Sequence, residues 1–174
     1  MDKYDTTLWK LLNNSSAAMP IPITNRVKMV EILLDVIIYI QSQRFCHLDL
    51  KPSNIMVNLS GDEWNGSDFV LADFGLSSAT SNLTGHSGTP GFGAPEQFVG
   101  SPSAKSDNYS LGKTAVVIMF DWKTAWNLLA QPLNKQQYET HSIQNTLIEN
   151  VISKLLKVKF YLIINDKSIY DNQS

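Results

Sequence analysis

The chain has 174 residues, just above the size of one ordinary domain, so one domain is expected and two would be cramped. Hydrophobic residues make up 43% and aromatics 10%, enough for a buried core, while charged residues reach only 17%. Fourteen Lys+Arg against sixteen Asp+Glu give a net charge of −2, and Arg26 and Arg44 are the only arginines, so a basic nucleic-acid surface is excluded as the main activity. The single Cys46 excludes an intrachain disulfide framework and multi-cysteine metal centres, and points to a reducing, cytoplasmic compartment. No apolar run approaches the roughly 18 residues of a membrane span.

In chain order, residues 6–12 (Thr-Thr-Leu-Trp-Lys-Leu-Leu) predict a short helix, followed by a polar, proline-containing connector over 13–22. A long helix is predicted from Thr24 or Asn25 to Ser42. Its polar members Lys28, Glu31, Asp35, Tyr39 and Ser42 recur at helical spacing and leave one narrow wet stripe on an apolar cylinder. Two short β-type runs follow, 55–58 and 69–72, joined by a turn-rich stretch over 59–68. Residues 75–105, rich in Gly, Ser, Thr and Pro, predict a loop too long to be idle in a small domain unless it is disordered. Ser106 or Asp107 is the expected N-cap of the next helix, and an amphipathic helix is predicted around Ile143–Leu156. Two short strands cannot form a sheet core, so the expected fold is mainly α with a small β-ribbon.

Four clusters carry chemistry. His47-Leu48-Asp49-Leu50-Lys51-Pro52-Ser53-Asn54 puts a carboxylate, an ammonium and an amide into one loop, although such an Asp-x-Lys pair is by itself usually a solvated ion pair. Asp73-Phe74-Gly75 directly follows the second β run. Gly88-Thr89-Pro90-Gly91-Phe92-Gly93-Ala94-Pro95-Glu96 and Ser106-Asp107-Asn108-Tyr109-Ser110-Leu111-Gly112 complete the set.

Together and in this order they resemble the C-terminal lobe of a eukaryotic-type protein kinase, best over residues 1–125, with 126–174 following loosely. The resemblance implies a partial kinase domain over 1–174 that uses ATP, Mg²⁺ and a protein substrate. It gives Asp49 the substrate hydroxyl's proton, Lys51 the transferring phosphate, and Asn54 and Asp73 the metal. Met56 matches the apolar residue under the adenine, with plain core filling as the competing role. His47 and Phe74 match an internal packed spine, and Asp107 the residue that bonds the catalytic-loop backbone from below. Lys51, two residues after Asp49, and Thr89, which matches a threonine bonding the catalytic Asp and Lys, imply serine/threonine specificity.

The sequence departs from the family at several points. It contains no G-x-G-x-x-G loop, and Met1–Tyr4 falls where the interlobe hinge would run, so the chain is expected to be a C-lobe without its N-lobe and to need that lobe or a partner for activity. Its missing-lobe face is expected to expose Met56, Tyr4 and Leu8. Leu48 stands where many kinases carry an arginine, so phosphate switching through that residue loses its partner. No arginine follows Arg44, which leaves Glu96 without the family's ion pair. The rival reading is a non-catalytic, pseudokinase-like scaffold.

Overall fold

Residues 4–13, 21–59, 68–120 and 125 are described in the computed structural model. In chain order the described elements are β1 (Thr6–Thr7), α1 (Leu8–Asn13), α2 (Ile23–Ser42), β2 (Phe45–Cys46), β3 (Ile55–Val57), β4 (Phe69–Leu71), β5 (Ser78–Ala79) and α3 (Ala104–Met119). The predicted helix around 143–156 lies outside the described residues.

Helix α2 runs as the polar stripe predicts. Lys28, Glu31, Asp35, Tyr39 and Ser42 are all exposed, and Met29, Val30, Leu33, Ile37 and Ile40 are buried. It packs antiparallel on α3, stitched at both ends. Arg26 near its start donates to the Ile118 carbonyl at 3.4 Å, and Gln41 near its end donates to the Ala104 carbonyl at 2.9 Å and to Asn108 at 3.0 Å. Leu8, Leu50, Ile55, Val57, Leu111, Ala115 and Ile118 join the α2 residues in one core. Each such aliphatic side chain contributes about 1.5–3 kcal/mol by leaving water. Ile37 is 0% exposed. Ile37→Val should therefore cost about 1 kcal/mol of stability, measurable as a lowered denaturant midpoint at unchanged slope.

Three local expectations are corrected. Thr6 and Thr7 do not open the first helix. They form β1, antiparallel to Val57 and Met56, because β-branched residues suit a pleated edge better than a first helical turn. The β-ribbon is also larger than expected: β1, β3 and β4 make a three-stranded sheet in the order β1-β3-β4, and β2 pairs separately with β5. The two-residue strands β1, β2 and β5 are too short to carry a periodic signal. The N-cap of α3 is Ser103, at φ −143° and ψ 171°, rather than Ser106 or Asp107. Ser106 reaches back as the acceptor of the Ser103 N–H at 3.0 Å, and the Asp107 carboxylate is committed elsewhere.

The stretch over 75–105 holds structure of its own, with short 3-10 turns at Phe74–Leu76, Thr80–Asn82 and Pro95–Val99. Leu8 is corrected as well: at 0% exposure it sits in the core, where α1 packs on β3. The exposed apolar residues near the β4 end are Val70, Phe74 and Leu76 instead. No helix among the described residues is long and apolar enough to cross a membrane.

Candidate active site

Asp49 lies between β2 and the 3-10 turn Pro52–Asn54, on a loop held from three sides. Below it, on α3, both oxygens of Asp107 accept backbone N–H groups at 2.7 Å, one from His47 and one from Leu48. Asp107 is 0% exposed. Burial raises its carboxyl above the ordinary value, and the two N–H donors and the nearby His47 pull it partway back. The sequence-based role for Asp107 is thus realised through the backbone it holds. Leu48, whose side chain is 3% exposed, adopts φ +67°, a left-handed conformation that costs a non-glycine residue about 1–2 kcal/mol. The bonds around it hold it there.

On the open side three side chains close a triangle. Lys51 Nζ donates to Asp49 Oδ2 at 2.7 Å and to Thr89 Oγ1 at 2.7 Å, and Thr89 Oγ1 donates to Asp49 Oδ1 at 2.6 Å. Asn54 Nδ2 adds bonds to the Asp49 carbonyl at 2.9 Å and to Oδ2 at 3.1 Å. A carboxylate has about four lone-pair positions. Among the described residues three are used, leaving about one for a further donor. Loop closure thus joins Asp49, Lys51, Asn54 and Thr89, although Thr89 is 40 residues from Asp49 in the chain.

Asp73 follows β4, exposed, at φ +61° and ψ +69°, with Oδ1 accepting the Gly75 N–H at 3.4 Å. Its segment is tied to the loop by two bonds. The Ala72 N–H donates to the Asn54 carbonyl at 2.8 Å, and His47 Nε2 meets the Ala72 carbonyl at 3.1 Å. A Cβ on Gly75 would stand 3.1 Å from Asp73 Oδ1. Nδ2 of Asn54 is committed to Asp49, which leaves its amide oxygen as an acceptor, and the Asp73 carboxylate is exposed. An amide oxygen and a carboxylate are hard donors of the kind Mg²⁺ takes, so the residues present fit that ion.

His47 is 0% exposed and meets the Phe74 ring edge-on at 4.7 Å, a packed histidine as expected. Phe74 itself remains 51% exposed, so that part of the expected spine is only half covered. Met56 is half-buried on β3, opposite Val70. Cys46 is buried, and burial with the nearby Asp107 charge pushes its thiol up to about 12, leaving it inert near neutrality. Glu96 has a partner that the sequence does not suggest: half-buried, it accepts the Ser106 hydroxyl at 2.8 Å, a bond from an uncharged donor that suffices for a carboxylate still in reach of water. His86 is exposed.

Gln97 is the residue that motif reading misses. It is 0% exposed, and its amide donates to the Leu48 carbonyl at 2.8 Å and to Ser87 Oγ at 3.2 Å while accepting the Ala94 N–H at 2.8 Å. The available signal was a large polar residue directly after Ala94-Pro95-Glu96, inside a turn with two exposed apolar neighbours, Phe98 and Val99.

A family profile described as the protein kinase domain matches residues 3–165. Serine/threonine-protein kinase C of Synechocystis is 38% identical over 97 residues, which is 50% of this chain and 17% of that protein. Serine/threonine-protein kinase B of the same organism is 30% identical over 140 residues, 72% of this chain and 23% of that protein. Calcium/calmodulin-dependent protein kinase type 1 of the prawn Macrobrachium nipponense is 32% identical over 122 residues, 66% of this chain and 34% of that protein. The matched segments thus span no more than 34% of these relatives' length.

Proposed function

Because the chain belongs to the protein kinase family, we propose that it carries the catalytic loop of a serine/threonine kinase and moves the γ-phosphoryl group of ATP to a protein hydroxyl. The observation that carries this reading is the triangle of Asp49, Lys51 and Thr89, closed by bonds of 2.6–2.7 Å. A scaffold has no chemical use for a buried carboxylate with one acceptor position left open beside an ammonium.

In this reading Asp49 takes the proton of the substrate serine or threonine, held in its open position. Lys51, already polarised between Asp49 and Thr89, presents positive charge to the transferring phosphate. Asn54 and Asp73 hold Mg²⁺, and Met56 lies against the adenine. Mg²⁺-ATP, when bound, supplies the phosphoryl group and its charge neutralisation. The same reading takes the described residues as the family's C-terminal lobe, working in a reducing, cytoplasmic setting with a glycine-rich segment over the phosphates.

The test is transfer of labelled phosphate to serine, threonine and tyrosine peptides. The 174-residue chain alone is expected to transfer little, because phosphate cradling supplies much of the positioning. Joined to a kinase N-terminal lobe it is expected to label serine and threonine. Labelling of tyrosine alone, or of nothing in either form, would count against the proposal.

A further inference from the structure

The Leu48 backbone is held on both sides by different segments of the chain. Its N–H goes to Asp107 on α3, while its carbonyl goes to Gln97 in the Pro95–Val99 turn. Gln97 uses its whole amide in this: the oxygen takes the Ala94 N–H, and the nitrogen serves the Leu48 carbonyl and Ser87 Oγ. Its backbone carbonyl also accepts the Ser87 N–H at 3.3 Å. Between the two strands of this clamp runs Gly88, at φ +87°, where a Cβ would stand 2.8 Å from the Gln97 nitrogen and 3.3 Å from the Leu48 oxygen. Only a residue without a side chain leaves the amide its passage. Leu48 directly precedes Asp49, and Ser87 and Gly88 directly precede Thr89. Gln97 therefore ties the Leu48 backbone to Ser87, through its side-chain amide to Ser87 Oγ and through its main-chain carbonyl to the Ser87 N–H, so that one residue joins the segments carrying Asp49 and Thr89.

We propose that Gln97 is a positioning residue that sets the Asp49–Thr89 geometry by clamping the strained Leu48 peptide to residues 87–88. The proposal rests on the kinase reading for its kinetic consequence, but the clamp itself can be measured without turnover. In the unaltered 174-residue chain, the Gln97 side-chain amide hydrogens should exchange with solvent far more slowly than those of exposed Gln43, and exchange as fast as Gln43 overturns the proposal whatever any variant does.

Gln97→Met keeps length and removes the amide. The Leu48 carbonyl-carbon resonance should move upfield on losing its donor, with Asp49 and Thr89 signals shifting alongside. In a phosphorylating preparation kcat should fall about tenfold while KM for ATP stays within about twofold, since the Asp73 segment is held through Ala72 by a backbone bond to Asn54 and by the His47 ring, not by Gln97. Gln97→Glu keeps the acceptor for the Ala94 N–H but recovers a donor toward Leu48 only when protonated. Its kcat relative to wild type should therefore rise as pH falls from about 8 to about 6, as burial lifts a carboxyl into that range. A folded Gln97→Met chain with unshifted Leu48, Asp49 and Thr89 signals, or a Gln97→Glu ratio flat with pH, refutes the clamp. Absence of phosphate transfer by every preparation refutes the kinase reading instead, and the exchange measurement still decides the clamp.

Discussion

Asp49→Asn is expected to lower turnover by about two to four orders of magnitude while Mg²⁺-ATP affinity stays close to wild type, in a preparation that phosphorylates peptide. The substitution should fold. The new amide can keep its oxygen toward Lys51 and Asn54 and turn its NH₂ to Thr89 Oγ1, whose hydroxyl has a second lone pair to offer. What is lost, in the proposed reading, is the basic oxygen that receives the substrate's proton. Asp73→Asn should behave differently. The Asp73 carboxylate is exposed and outside the triangle, so removing its charge should weaken Mg²⁺-dependent ATP binding by on the order of tenfold and reduce turnover with it. Titration calorimetry with Mg²⁺-ATP separates the two. Equal loss of affinity in both variants, or wild-type turnover in Asp49→Asn, would show that these roles are wrongly divided.

Asp107→Ala is expected to cost about 3 kcal/mol or more and to lower activity further than that loss alone explains. Both carboxylate oxygens accept buried backbone donors, and each donor left without a partner costs about 1–3 kcal/mol. Against a total stability of about 5–15 kcal/mol this is a large share. One of those donors belongs to Leu48, so the strained turn before Asp49 would relax toward an ordinary backbone and carry the carboxylate away from Thr89. Asp107→Asn should be milder, about 1–3 kcal/mol, because it keeps one acceptor but sets an NH₂ against the second N–H. Urea unfolding of the three chains gives the energies. An Asp107→Ala chain as stable as wild type would mean that these N–H groups find water or another acceptor.

The α2 helix is legible in the sequence because burial at a period of 3.6 needs only one chain segment and water to explain it. The polar stripe from Lys28 to Ser42 marks its wet side in the structure residue for residue. The motif residues Asp49, Lys51, Asn54 and Thr89 were legible too, through a resemblance that four collinear clusters carry. The strands β1, β2 and β5 were not, since two residues hold no period and are defined by partners far along the chain, Thr6 by Val57 and Cys46 by Ser78. The same holds for the cap of α3: Ser106 and Asp107 have the right chemistry for that position, but Glu96 and the His47–Leu48 backbone compete for their oxygens.

By itself, then, the sequence determined which residues carry the kinase motifs and which helical faces are dry, the first through the family resemblance and the second through residue type and local spacing. Only the tertiary structure decided what holds those groups in place. A buried amide at Gln97 becomes a clamp when chain closure brings Leu48 within 2.8 Å of it and Gly88 leaves the gap open. A hydrogen bond acts over about 3 Å, and its energy depends on a distance that separation along the chain does not specify.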